Sequence, residues 1–205
     1  MADFRFIFKQ QTEQANGFWL SDWQWQDPDL NSKPLPVNAA FELNQIQFQL
    51  ISQQPNGYQF LANAPVSLTA DKSVIRLKNH QAWRFLPELT AFLKFDVPLL
   101  ITASNQAMAT ALYLSQQLKN TYHIQVLLHS DAGFPFMVKP ARFLWENAPA
   151  EAIGAMPLLE DWQIPNRLCH SAFQPGCFEG TLEDFLIQWH PNEQQQIIQC
   201  NDFVI

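Results

Sequence analysis

Charge is scarce in this chain. Asp, Glu, Lys and Arg make up 15% of its 205 residues, and 12 basic residues face 19 acidic ones, for a net charge of −7. No run of Lys or Arg occurs, so the phosphate neutralisation that carries nucleic-acid binding has no footing. Cysteine is scarce too. Three is an odd number, which argues against a disulfide framework and for a reduced, cytoplasmic setting. No stretch approaches 18 uninterrupted apolar residues, so no membrane span is expected. The opening "MADFRFIF" is too short and too charged for a secretory core. What is present is 47% hydrophobic and 13% aromatic, a balance that favours a packed interior over disorder. A chain of this size buries roughly 70% of its unfolded surface and needs no covalent staple.

The first ninety residues read as β-rich. Phe4 to Lys9 alternates, and Gly17 to Gln26 carries Phe18, Trp23 and Trp25 in a run of strand propensity. Residues 27–36 are turn chemistry. Ala39 to Ser52 alternates at Ile46, Phe48 and Leu50, as a half-buried strand does. Asn56-Gly57 between two apolar runs is the strongest short hairpin signal. Ser73 to Leu86 predicts a further strand, and the set predicts a small antiparallel barrel or sandwich.

The pattern changes near Pro87. "VPLLITA" is a strand buried on both faces. A helical stripe runs from Asn105 to Lys119, and "HIQVLLHS" (His123 to Ser130) is a second buried strand, giving a βαβ unit. Prolines 135, 140, 149, 157 and 165 forbid one long helix over the next stretch. They predict an excursion over 131–165, with a short strand near Arg142 to Trp145 and a helical turn near Leu158 to Trp162. Arg167 to Ala172 predicts a third inner strand, and Gln196 to Cys200 a fourth. Thr181 and Asp184 stand three apart ahead of an apolar face, the spacing of a capping box.

The turn that opens the first helix, Thr102-Ala103-Ser104-Asn105-Gln106, holds no glycine. A helix start attracts phosphate or carboxylate through its unpaired N–H groups. Glycines in such a turn let a pyrophosphate approach the backbone. Here Ser104 or Asn105 either caps the helix or leaves those groups for a ligand, and the side chains obstruct close approach. A second candidate region is "RLCHSAFQPGCFEG". In open α/β sheets ligands sit beyond the carboxyl ends of the strands. That edge brings His129, Ser130 and Asp131 near His170, Cys177 and Glu179, with Gly176 and Gly180 allowing unusual backbone shapes. Cys177 is also the candidate for a reactive thiol, if the helix that follows lowers its pKa. The cysteine spacing suits no metal or iron–sulfur site. Trp19, Trp23, Trp25 and Trp83 suit either stacking on a flat ring or ordinary sheet packing.

The order of these parts resembles the ferredoxin–NADP reductase superfamily, in which a flavin-binding barrel precedes a nucleotide-binding α/β domain. The resemblance covers most of the chain. The family's Arg-x-Tyr/Phe-Ser flavin motif would fall on Gln49 to Ser52, where only Ser52 matches. Its glycine-rich turn would fall on Thr102 to Gln106. Its Cys-Gly-Pro would fall on Cys200-Asn201-Asp202, where only the cysteine matches. The resemblance implies an α+β fold, a β-barrel over residues 1–90 and a Rossmann-like α/β domain with a mostly parallel sheet over 91–205. It implies a flavin/pyridine-nucleotide-linked oxidoreductase with FAD or FMN and NAD(P)H. Gln49 and Ser52 would then lie on the flavin side, and Ser104, Asn105, Gln106, His129, His170, Gly176 and Glu179 on the nucleotide side. A redox partner protein or a small-molecule acceptor would take the electrons. Two other readings stand beside it: a non-catalytic partner subunit that binds no cofactor, and a thiol-dependent enzyme using Cys177.

Overall fold

The computed structural model describes residues 4–26, 35–67, 74–77, 86–191 and 193–200. Residues 27–34 of the expected loop, Trp83, and Asn201-Asp202 of the Cys-Gly-Pro position lie outside the described residues.

Aromatic and β-branched residues on alternate positions build the first sheet. It comprises β1 (Phe4–Glu13), β2 (Trp19–Trp25), β3 (Ala40–Leu43), β4 (Ile46–Gln54), β5 (Gly57–Ala62) and β6 (Val74–Leu77). Every pairing is antiparallel, in the order β3-β4-β5-β2-β1-β6, and the sheet curls as a half-barrel. Its concave side holds Phe6, Trp23, Phe41, Phe48, Tyr58 and Phe60, all buried. These rings meet edge to face at several points, Trp23 against Phe41 and Phe48 at 5.6 and 5.8 Å, while Phe41 and Phe48 stack at 4.5 Å.

Two turns differ from the sequence reading. Ala39 to Ser52 is two strands, because Asn44 and Gln45 both take positive φ (52° and 66°) and reverse the chain between β3 and β4. The β4–β5 hairpin exists, but Gln54 pairs with Gly57, so its two-residue loop is Pro55-Asn56. Gly57 therefore serves packing and not the turn. A Cβ there would stand 1.9 Å from the Trp23 carbonyl oxygen of the neighbouring strand.

The second sheet is parallel. It comprises β7 (Leu99–Ser104), β8 (Ile124–Ser130), β11 (Asn166–His170), the short β12 (Phe178–Glu179) and β13 (Gln196–Cys200), in the order β12-β11-β8-β7-β13. A short helix α1 (Leu86–Thr90) precedes it. Helix α2 (Met108–Leu118) crosses from β7 to β8 and is buried on nearly every side. One face of α2 packs on the parallel sheet and another on β4, so a single apolar core joins both halves. On the sheet's other face, α4 (Leu182–Gln188) closes a smaller core around Trp145, Phe185 and Trp189. Its start is the expected capping box: Asp184 N–H donates to Thr181 Oγ1 at 3.2 Å, and Thr181 N–H donates to Asp184 Oδ2 at 2.9 Å.

The proline-rich excursion contains the helical turn, α3 (Pro157–Asp161), but no strand over 142–145. Its short strands are β9 (Lys139–Pro140) and β10 (Gly154–Ala155) instead. Polar groups fix it in place. Asn166, fully buried on β11, accepts from Met156 N–H at 2.6 Å and donates to Glu160 Oε1 at 3.0 Å and to the Ile164 carbonyl at 3.1 Å. Buried Glu160 accepts in turn from Arg142 N–H at 2.7 Å.

Candidate functional site

Parallel pairing places the ends of β7, β8 and β11 side by side. Ser104 is level with His129, and Ser130 with His170. The strand order turns back between β7 and β13, so the turn after β7 stands at the switch point of the sheet.

That turn is a 3-10 segment, Asn105–Ala107, ahead of α2. Neither Ser104 nor Asn105 caps a helix with its side chain, so of the two alternatives the sequence leaves open, capping is not the one taken. Asn105 instead takes a left-handed φ of 49°, the backbone state that a glycine would otherwise supply. Its side chain then faces the turn after β8. Asn105 Nδ2 donates to Asp131 Oδ2 at 2.7 Å, and Asp131 N–H donates to Asn105 Oδ1 at 3.0 Å. From the turn after β11, Ser171 Oγ donates to Asp131 Oδ1. The Asp131 carboxylate is thus held below the usual aspartate range, first by Ser171 and then by Asn105. Three strand ends are clamped through one exposed carboxylate.

His129 joins this cluster. Its Nε2 lies 3.0 Å from Ser171 Oγ and 3.7 Å from Asp131. Since Ser171 gives its proton to Asp131, His129 Nε2 donates to the serine oxygen. The proton order is the reverse of a hydrolytic triad, where the serine gives its proton to the histidine and the carboxylate orients the ring from behind. Burial holds His129 below the ordinary imidazole range. It outweighs the attraction of Asp131, and His170 pushes in the same direction as burial. The unfolded chain therefore binds this proton more readily than the folded one. The associated stability is whole above about pH 6.5 and is lost as the pH falls through the histidine range. Denaturant midpoints between pH 7.5 and 5.5 are expected to decline, and His129→Gln to flatten that decline. A slope that the substitution leaves unchanged would assign the effect to another group.

Of the remaining candidates, His170, Gly176, Glu179 and Cys177 make no hydrogen bond to Asp131 or Ser171 among the described residues, although His170 stands beside those two at the same edge. His170 bends back on its own turn, with Nδ1 2.9 Å from the Ala172 carbonyl. Gly176 (φ 82°) accepts from Gly154 N–H at 2.6 Å, fastening the excursion to the β11–β12 loop. Glu179 is exposed on the edge strand β12. Cys177 corrects the expectation of a reactive thiol: it is 6% exposed, and burial pushes its pKa up to about 11, so thiolate is rare at neutral pH. Burial raises Cys200 likewise, to about 12.

On the flavin side, Gln49 is buried and its Nε2 donates to Thr110 Oγ1 of α2 at 2.8 Å. Gln106 Nε2 donates to the Gln47 carbonyl at 3.0 Å, a second tie between the halves. Ser52 shares its hydroxyl with Gln59 and Gln54 at 3.3 and 3.1 Å. Trp23 and Trp25 are core residues.

Known structures share the fold of this chain. A flavohemoglobin from Malassezia yamatoensis with bound FAD and heme superposes with a TM-score of 0.58 at 11% identity, over 98% of this chain and 53% of that one. A cytochrome P450 reductase from Amycolatopsis gives 0.60 at 8% identity, over 91% and 57%. The flavohem-like FAD/NAD binding domain of a nitric oxide dioxygenase from Vibrio cholerae O1 biovar El Tor gives 0.55 at 10%, over 96% and 86%. The chain has the ferredoxin–NADP reductase-like fold. It spans little more than half the length of the first two of these structures. No family model and no curated protein matches the sequence. No helix among the described residues is long and apolar enough to cross a membrane.

Proposed function

We propose that this chain is a reductase-fold binding subunit, one that works through protein contact and holds neither a pyridine nucleotide nor a flavin in the manner of the fold. The observation that carries this reading is the Asn105–Asp131–Ser171 clamp. A pyrophosphate brought to the turn after β7 would meet the Asp131 carboxylate, a like charge, and would have to displace the paired hydrogen bonds that join Asn105 to it. The residues present therefore do not suit that group. On the barrel side, a direct hydrogen bond from Gln49 to Thr110 leaves no slot between β4 and α2 at that point for a flat ring. At the position the resemblance assigns to the flavin-motif arginine the chain carries Gln49 instead. Exposed apolar side chains in the second half, among them Met137, Ile153 and Phe173 at 61–78% exposure, suit contact with another protein.

The competing reading, an oxidoreductase that passes electrons from a pyridine nucleotide through a flavin to an acceptor, draws support from similarity to structures described with FAD. One experiment separates the two. The purified chain is titrated with FAD, FMN, NADH and NADPH while its melting temperature and visible absorbance are followed. The expected result is a colourless protein whose melting point moves by less than about 1 °C at millimolar ligand. A saturable shift of several degrees, or flavin absorbance retained after desalting, would remove the proposal and favour the oxidoreductase.

A further inference from the structure

The parallel sheet ends on β13, whose outer side pairs with no strand among the described residues. The direction of its backbone groups follows from the ladder to β7. Gln196 N–H donates inward, to the Pro98 carbonyl at 3.0 Å, and the register runs evenly from Gln196 opposite Leu99 to Cys200 opposite Ala103. Backbone groups alternate in direction along a strand. Gln196, Ile198 and Cys200 therefore bond toward β7, and Ile197 and Gln199 turn their N–H and C=O groups outward. Among the described residues nothing bonds to those outward groups. The same two residues have the exposed side chains of the strand, Ile197 at 55%.

Open sheet edges are normally blunted by a charge, a proline, a bulge or extreme shortness. The opposite edge of this sheet, β12, is two residues long and ends on Glu179. An edge of the half-barrel, β3, carries exposed Glu42. β13 has none of these devices. Gln196-Ile197-Ile198-Gln199-Cys200 is uncharged, holds no proline, and keeps an unbroken register with β7. Its open edge is thus a template for another strand, and Ile197 loses contact with water when one is added.

We infer that β13 is a self-association edge, and that its occupant is β13 of a second copy of this chain, antiparallel about a two-fold axis at Ile198. Ile197 then stands opposite Gln199 of the second copy, and Gln199 opposite its Ile197. Both are outward-facing residues, so each opposed pair exchanges N–H···O=C bonds in both directions. Every outward group of the strand is used. An axis at Ile197 would instead set Gln199 against residue 195, outside the strand. Ile198, packed on the core along one flank, meets its own copy at the closer, non-hydrogen-bonded position. Two neutral strands place no like charges opposite each other, whereas a charged strand finds no ion pair on this edge. The closed two-fold arrangement leaves no further copy to add. The inference is independent of the cofactor question, since it uses neither the clamp nor Gln49.

Sedimentation velocity on the full chain, from about 2 to 500 µM, is expected to show a reversible dimer with Kd on the order of 10–100 µM, as suits so short an interface. Hydrogen exchange reads the same event without a substitution. The Ile197 and Gln199 amides should exchange slowly at high concentration and fast on dilution, and the Gln196 amide slowly at both. Ile197→Lys puts a charge on the edge at an exposed position, and this variant should stay monomeric throughout. Its melting temperature at low concentration should match the parent within about 2 °C. Adding Gln199→Glu, whose carboxylate falls opposite that lysine, should restore a dimer in the mixture. A monomer at every concentration, amides indifferent to dilution, Ile197→Lys dimerising like the parent, or a mixture that stays monomeric would each overturn the inference.

Discussion

Trp23→Ala is expected to lower the unfolding free energy by about 3–5 kcal/mol. Trp23 is 2% exposed at the centre of the half-barrel. Its ring meets Phe8, Phe41 and Phe48 at 5.2–5.8 Å, and its Nε1 donates to Ser21 Oγ at 2.9 Å. Ser21 passes its own proton to the Phe60 carbonyl on the adjacent strand. Truncation leaves a cavity between three rings that the sheet backbone cannot close, and it strips Ser21 of its donor. In urea, where the slope for a small protein is about 1–3 kcal/mol per molar, the midpoint should fall by more than about 1 M. Trp23→Phe, which keeps most of the volume and loses the N–H, should cost less than half as much. Equal costs for the two variants would show that the hydrogen bond, and not the packing, dominates at this position.

Asn166→Ala is the second large effect, at about 3 kcal/mol. Asn166 has no exposed surface and makes three hydrogen bonds, one of them to a buried carboxylate. Deleting it orphans the Met156 N–H and removes a donor from Glu160, and a buried charge that loses a partner is costly. The variant should also become sensitive to protease within residues 139–156, because β10 and α3 lose their anchor to β11. Asn166→Asp sharpens the test. Two carboxylates would then share one buried site, so this variant should be least stable near neutral pH and should recover on acidification, as the new aspartate takes up a proton. A cost below about 0.5 kcal/mol for Asn166→Ala, or a flat pH response for Asn166→Asp, would contradict the network's role.

The alternation of aromatics made the first sheet legible, and the apolar runs "VPLLITA" and "HIQVLLHS" made the parallel strands legible. Both signals are local. Thr181 and Asp184 were legible for the same reason, since the box spans only one turn of helix. The Asn44-Gln45 reversal was not, because neither residue is a glycine, and its one local trace is a shift of the apolar phase from Phe41 and Leu43 to Ile46, Phe48 and Leu50. Gly57 was misassigned since its function depends on the carbonyl of Trp23, a residue on another strand.

The site followed the same division. The sequence pointed to the edge where His129, Asp131 and His170 gather, because strand ends can be counted. It did not reveal Ser171 as the partner of Asp131, 40 residues away, since only the parallel register of β8 and β11 brings them together. Gln49 and Thr110 are 61 residues apart and meet only because α2 lies on β4. Cys177 was a reactive-thiol candidate on the strength of the helix start that follows it, and the depth at which its loop is packed is a tertiary property.

Helix α2 is sheathed on one side by the antiparallel sheet and on another by the parallel one, with Met108, Leu112 and Tyr113 sealed away from water. Neither half can be excised intact. A fragment beginning near residue 91 would bare the flank that β4 covers, and one ending there would bare the inner wall of the half-barrel. Both fragments should precipitate when made alone and should regain solubility only on co-expression.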